Sequence, residues 1–397
     1  MKTAFTHANV IDVLNGGILP DNTVLVDDGK ISYVGPKLDT PAYEEVDMKG
    51  KFLSPGLFNC HTHLTAPFAP SFQDIKKSKV NFVLYSLENL ETYIKTGVTY
   101  VRDVGDYEFI TVEIRDAIKA GRIKMTPDMV TTGRPLCMTG GSTWNIFGLQ
   151  ADGPDECRKT ARLIIRSKVD WLKLMATGGT ATLGNACAAE QLTEVELRAA
   201  VEEAHKAGIK VSCHAQGLEG AMNTIRAGVD CMEHGFILDD TAVQMMVDQK
   251  MWLVPTMMAS TSIIMHKDLC NQPEFLHKAE LNSSFMFDSF KKAYNAGVKC
   301  ALGTDCGSIL CSHDNTAMEM QLMVERCGLT PAEAMKIGTI NSAELLDVGE
   351  ELGSITVGKK AHFAVFEENP LEDIVAAQHC VMTVKNGEIL WSRQTEK

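Results

Sequence analysis

The 397-residue chain has no apolar run near the roughly 20 residues that a membrane span requires. Its first residues, MKTAFTHANVIDVLNG, lack the apolar centre of a signal peptide, so a cytoplasmic protein with no membrane partner is expected. Positive charge is scarce. Against 51 Asp and Glu stand only 38 Lys and Arg, a formal net charge of -13, which repels phosphate backbones and argues against a nucleic-acid partner. Twelve cysteines are present without one CxxC. Scattered along a chain with no export signal, they read as reduced, buried core residues, and Cys306 with Cys311 makes a poor pair of zinc ligands.

What is present is the composition of an ordinary globular protein, 45% hydrophobic and 22% charged. The length favours one large domain with a smaller satellite. The first fifty residues alternate short apolar runs (AFTHANVIDV, NTVLVDDG, KISYVGP) with Gly, Asn and Asp turn signals. The last forty look alike and carry an Asn386-Gly387 hairpin signal. Residues 1–55 and 350–397 are therefore expected to build one small β-sandwich from both termini.

Between them, over residues 56–349, eight apolar runs with polar ends alternate with helix-like segments: GLFNCHTH, GVTYVRDVG, DMVTTGRP, DWLKLMATGG, IKVSCHAQ, CMEHG, WLVPTMM and KCALGTDCG. Eight is the count of a (β/α)8 TIM-type barrel, an α/β fold. Helix starts are marked too. Thr193 with Glu196 forms a capping box, and Thr330-Pro331-Ala332-Glu333 places proline in a first turn.

In GLFNCHTHL, His61 and His63 lie two apart at a strand end, where period-two alternation turns both imidazoles to one side. Alone, such a pair is more often two hydrogen-bonded histidines than a chelate. Partners recur at matching strand ends, however: Lys173, His214, His234 and Asp305, near the C-terminal mouth where barrel enzymes build their sites. Singly, these read as a core histidine, a paired amine or a helix cap. Together they read as a metal centre.

With those residues in place the sequence resembles the amidohydrolase superfamily, whose pattern is HxH after the first strand, Lys after the fourth, His after the fifth and sixth, and Asp after the eighth. KLMATGGT, KVSCHAQG, AGVDCMEHG and LVPT resemble its imidazolonepropionase-like branch, particularly the zinc-dependent prolidase and carboxypeptidase-type dipeptidases. The resemblance implies two divalent ions, zinc first with iron, manganese or cobalt as alternatives. His61, His63 and Asp305 would hold the buried ion and His214 and His234 the exposed one, with carboxylated Lys173 bridging. It also implies a metal-activated hydroxide that attacks an amide, with Asp305 as catalytic acid and base. Two departures stand out: Asn59 replaces the family's common Asp, and Ser142 in TGGS replaces its His.

The substrate expected is a small-molecule amide, a dipeptide or an N-acyl amino acid. A cyclic amide is the alternative, and a non-catalytic assembly protein on the same scaffold is a third reading. Arg134 is expected to pair with a substrate carboxylate, a surface arginine being its other reading. Ser142, Thr143 and Trp144 are candidates to line the pocket, against a polar loop that ends in a packed indole. His313 is the one further histidine near a barrel strand end. The oligomeric state is open, and a homo-oligomer is compatible with every feature above.

Overall fold

The computed structural model describes residues 2–39, 41–72, 74–75 and 78–393. Each of the eight middle runs carries a strand: Leu57–Thr62, Val98–Asp103, Asp128–Thr131, Trp171–Met175, Lys210–Ala215, Cys231–His234, Trp252–Val254 and Lys299–Cys300. All pair in parallel. The first three form one sheet, and the last five form a second that also takes in the short strands Leu136–Cys137 and Leu149–Gln150. Parallel neighbours need long crossovers, and helices such as Lys79–Lys95, Pro154–Arg166, Glu194–Lys206 and Leu218–Ala227 supply them. Several strands, including Leu57–Thr62 and Val98–Asp103, are buried along their whole length, as sheets covered on both faces must be.

The expected strand count and order are present, but the ladder is not continuous around a barrel. The two sheets meet through separate backbone bonds: Cys60 N–H to Leu302 O at 2.7 Å and Asp305 N–H to His61 O at 2.9 Å on one side, Asp170 N–H to Thr131 O at 2.9 Å on the other. The last strand is only two residues long. Beyond it, the chain passes so close to the first strand that a Cβ on Gly303 would stand 2.7 Å from the His61 Cβ, an approach open to glycine alone.

The strands of both termini hydrogen-bond as a single eight-stranded sheet. It runs from the C-terminal hairpin through Phe363–Phe366 and Phe52–Pro55 to Lys2–Asp12, Gly17–Asp27 and Lys30–Gly35, with Glu44–Asp47 beside Lys2–Asp12. Phe5 and Phe363, one from each end of the chain, meet edge to face at 5.5 Å within a shared apolar cluster. Asn386 and Gly387 both take positive φ, as a two-residue hairpin turn demands. The capping boxes of Thr193 with Glu196 and Thr330 with Glu333 are formed. All twelve cysteines are unbridged and eleven are buried. Among the described residues, no helix is long and apolar enough to cross a membrane.

Candidate metal centre

His61, His63, Lys173, His214, His234 and Asp305 all line one cavity of about 520 Å³ at the C-terminal ends of the parallel strands. Hydrogen bonds fix which nitrogen of each ring faces inward. His61 Nδ1 lies 2.7 Å from Glu233 Oε2, and His63 Nδ1 lies 2.9 Å from the Gly105 carbonyl. Both partners can only accept, so each Nδ1 carries the proton and each Nε2 of the neutral ring keeps its lone pair. For His214 the roles reverse: Nε2 donates to the Gly178 carbonyl at 2.8 Å, which leaves Nδ1 free to ligate.

The freed lone pairs converge. His61 Nε2 and His63 Nε2 lie 3.3 and 3.1 Å from the same Asp305 oxygen, and ligand atoms of the three residues fall within 4.8 Å of one another. Two lone pairs facing a carboxylate repel unless a cation lies between them. A proton is one answer, and the carboxylate of Asp305 accordingly pulls the His63 pKa upward against its burial. A divalent ion satisfies all three groups at once, so the donor chemistry fits the metal that the family pattern implies.

His214 and His234, with ring centroids 4.4 Å apart, are held neutral by burial, His214 down to about 3. Lys173 is 2% exposed, and its Nζ has no hydrogen-bond partner. Burial pushes its pKa down, toward the neutral amine that can add carbon dioxide and become a carbamate. A carbamate there would present two anionic oxygens where the amine has no partner, so the residue fits the role that the family pattern implies.

Beneath these side chains lies a support of buried charge. Glu233 Oε1 takes a 2.6 Å hydrogen bond from Arg102, whose Nε donates to the Cys60 carbonyl at 2.6 Å and whose guanidinium lies 4.6 Å from the Trp171 ring centroid. Arg102 and Glu233 are both fully buried; desolvation pushes the Glu233 carboxyl up, but Arg102, Lys173 and His61 together hold it down at about 2. A second support orients His234. Glu319 accepts the N–H groups of Met257 and Met258 at 2.8 and 2.7 Å at the start of the helix Met257–Met265, while Thr256 just before it places its hydroxyl 2.6 Å from His234 Nδ1. Burial pushes Glu319 up to about 8. His234, Thr256 and Asp305 all sit at positive φ (75°, 50° and 60°), strain of the kind that collects at functional sites.

Other candidates fall in different places. Ser142 lines the cavity, its N–H bonded to Gln191 Oε1 at 2.8 Å. Arg134 is bonded to the backbone. Its Nε and Nη2 each donate at 2.8 Å to the carbonyls of Phe147 and Gly148, and the residue lies outside the lining of the cavity. It props up the loop that carries Ser142 and Phe147. His313 is buried with Nε2 unpartnered and packs against Tyr93, also outside the lining. Asn59 is a buried structural residue that donates to Thr304 Oγ1 at 2.7 Å. Sequence reasoning passed over Arg102, Glu233 and Glu319. The visible signal was two opposite charges inside apolar strand runs, VTYVRDV and DCMEHG, where a charge seldom survives unpaired.

Residues 52–390 match the amidohydrolase family. The chain belongs to that family. Among curated proteins it is 29% identical to ochratoxinase of Aspergillus niger, over 95% of this chain and 84% of that protein. It is 23% identical to imidazolonepropionase of Fusobacterium nucleatum, over 89% and 86%. Among solved structures, a Xaa-Pro dipeptidase with methionine bound in its active site superposes with a TM-score of 0.91 at 28% identity, covering 99% of this chain and 100% of that one. Its amidohydrolase relatives are hydrolases, and the His61, His63 and Asp305 cluster is the metal-capable group this chain brings to the family chemistry.

Proposed function

We propose that this amidohydrolase cleaves a C–N bond in a small carboxamide, a dipeptide or an N-acyl amino acid, at a binuclear centre. His61, His63 and Asp305 hold one ion, His214 and His234 the other, and carboxylated Lys173 joins them. The observation that carries the reading is the convergence of the His61 and His63 lone pairs on one oxygen of Asp305. Nitrogen and oxygen donors suit zinc, with iron, manganese and cobalt also compatible. When bound, such ions polarise a carbonyl and lower the pKa of water from about 15.7 toward about 7.

The chain's own residues then do the positioning and the proton work. Asp305 takes the proton of the attacking water and passes it to the leaving nitrogen. Ser142, Thr182 and Gln216, on the cavity wall, supply hydrogen-bonding groups for the substrate. Burial of the four histidines excludes bulk water, and it keeps the His214 and His234 rings neutral and ready to ligate. The protein acts in the cytoplasm on a small molecule.

The test is amine release by metal-replete protein from panels of dipeptides, N-acyl amino acids and lactams. Turnover of the open-chain amides is expected. Similarity to imidazolonepropionase supports a second reading, which ring opening of lactams without open-chain cleavage would establish. Protein that takes up no zinc, iron or manganese would leave only a non-catalytic role.

A further inference from the structure

The catalytic cavity does not end at the metal ligands. A second cavity of about 590 Å³ is lined by Ser71, Phe72, Trp144, Ile146, Leu183 and Phe275 among others, and it shares Phe72, Ala181 and Thr182 with the first. The shared wall is aromatic from the ligands outward. Phe147 stacks on the His63 ring at 5.3 Å with the planes 9° apart, and Phe72 meets Phe147 edge to face at 5.9 Å. Beyond Phe72, the Trp144 indole is 46% exposed and Leu183 38% exposed, apolar surface that faces open space rather than core.

The annex is built, not incidental. Its floor loop, residues 180–183, is pinned from the helix Pro273–Ser283: Lys278 Nζ donates to the Thr182 carbonyl at 2.6 Å and Asn282 Nδ2 to Thr180 Oγ1 at 2.8 Å. Its other wall is fixed by Arg134, bonded to the carbonyls of Phe147 and Gly148, and by Thr143, a β-branched residue held at φ 65° with its N–H on Thr182 Oγ1 at 3.3 Å. Among the described residues that line either cavity, the one lysine or arginine is Lys173, on the wall of the first. The annex therefore offers ring-sized apolar contact and no charge for a carboxylate.

We infer that the annex binds an aromatic or comparably bulky apolar arm of the substrate, so that the amide held at the metal centre bears a ring on one side. Its occupant is taken as part of the substrate because the annex shares Phe72, Ala181 and Thr182 with the cavity at the metal centre. Trp144 and Leu183 set the preference, Phe72 marks the boundary, and Arg134 and Lys278 hold the walls. Only the nature of the bond cleaved rests on the amide-hydrolase reading; the preference for a ring is a matter of binding.

The experiment uses full-length, metal-loaded protein and two probes, N-(3-phenylpropanoyl)glycine and N-acetylglycine. Binding is followed by calorimetry and hydrolysis by glycine release. The phenylpropanoyl probe is expected to bind about tenfold or more tightly than the acetyl one, the effect of burying one ring. That ratio collapses in Trp144→Ala and in Leu183→Asp, two changes at exposed positions. Equal affinity for the two probes, no binding of either, or a ratio that survives both substitutions overturns the inference. Ring-selective binding without glycine release sustains the annex and refutes amide hydrolysis for these compounds. Glycine release with no ring preference does the reverse.

Discussion

Glu233 divides its carboxylate between two buried partners, one oxygen 2.7 Å from His61 Nδ1 and the other 2.6 Å from an Arg102 nitrogen. The pairing sets the His61 tautomer and hence the lone pair aimed at Asp305. In Glu233→Gln the amide meets a conflict in either orientation. Facing Arg102, its NH2 puts donor against donor. Facing His61, the NH2 forces the ring proton onto Nε2 and removes a metal ligand. Metal affinity is expected to fall about 10–100-fold, the usual effect of losing the hydrogen bond behind a ligating histidine. Titration against a chelator of known affinity checks this, and wild-type affinity would contradict it.

Removing the other partner tests stability instead. Arg102→Met strips the cation from a carboxylate with no access to water, at a cost of about 3–5 kcal/mol. Chemical denaturation reads the loss, and Arg102→Met combined with Glu233→Leu is expected to recover part of it because no charge is then left unpaired.

Lys173 has a chemically specific test. Lys173→Ala is expected to lose most of its bound metal, with activity partly restored by added short carboxylic acids that take the place of the carbamate. Metal analysis of the purified variant decides the matter; full metal content would refute a bridging role.

Asp305→Asn keeps the shape of the side chain but removes the proton acceptor. Turnover of whichever amide the panel identifies is expected to drop by about 10²–10⁴-fold, the usual worth of a placed acid and base. A kcat equal to wild type would assign the proton work elsewhere.

How much of this was legible beforehand follows from where each signal resides. The six cavity-lining side chains and the eight strands show in sequence because each of the six ends an apolar run, and a strand end maps directly onto the mouth of the sheet. The break in the ladder beside Lys299–Cys300 does not show, because it depends on the close pass of Gly303 against His61, between residues 242 positions apart. The setting of Arg134 does not show for a similar reason. Its partners are backbone carbonyls of Phe147 and Gly148, which no side-chain pattern announces. The annex too is made by loops that carry Trp144 and Leu183 and by a helix that carries Phe275, segments that meet only in three dimensions.

Glu203 provides a prediction on pH. Its two oxygens collect Arg158 and Arg162, each at 2.7 Å, and Lys206 at 3.1 Å, tying the helix Pro154–Arg166 to Glu194–Lys206. Hydrogen bonds from Arg162, Arg158 and Lys206, in that order, lower its pKa from the ordinary 4.5 to about 2. A carboxyl depressed in the folded state binds fewer protons there than in the unfolded chain. Its stabilisation is therefore complete above the unfolded value and is lost as pH falls toward the folded one. Glu203→Gln is expected to melt below wild type at pH 7, with a gap that narrows between pH 4.5 and about 2. Melting curves of both proteins across that range measure the gap, and one that stayed constant with pH would show that packing, not charge, holds the two helices together.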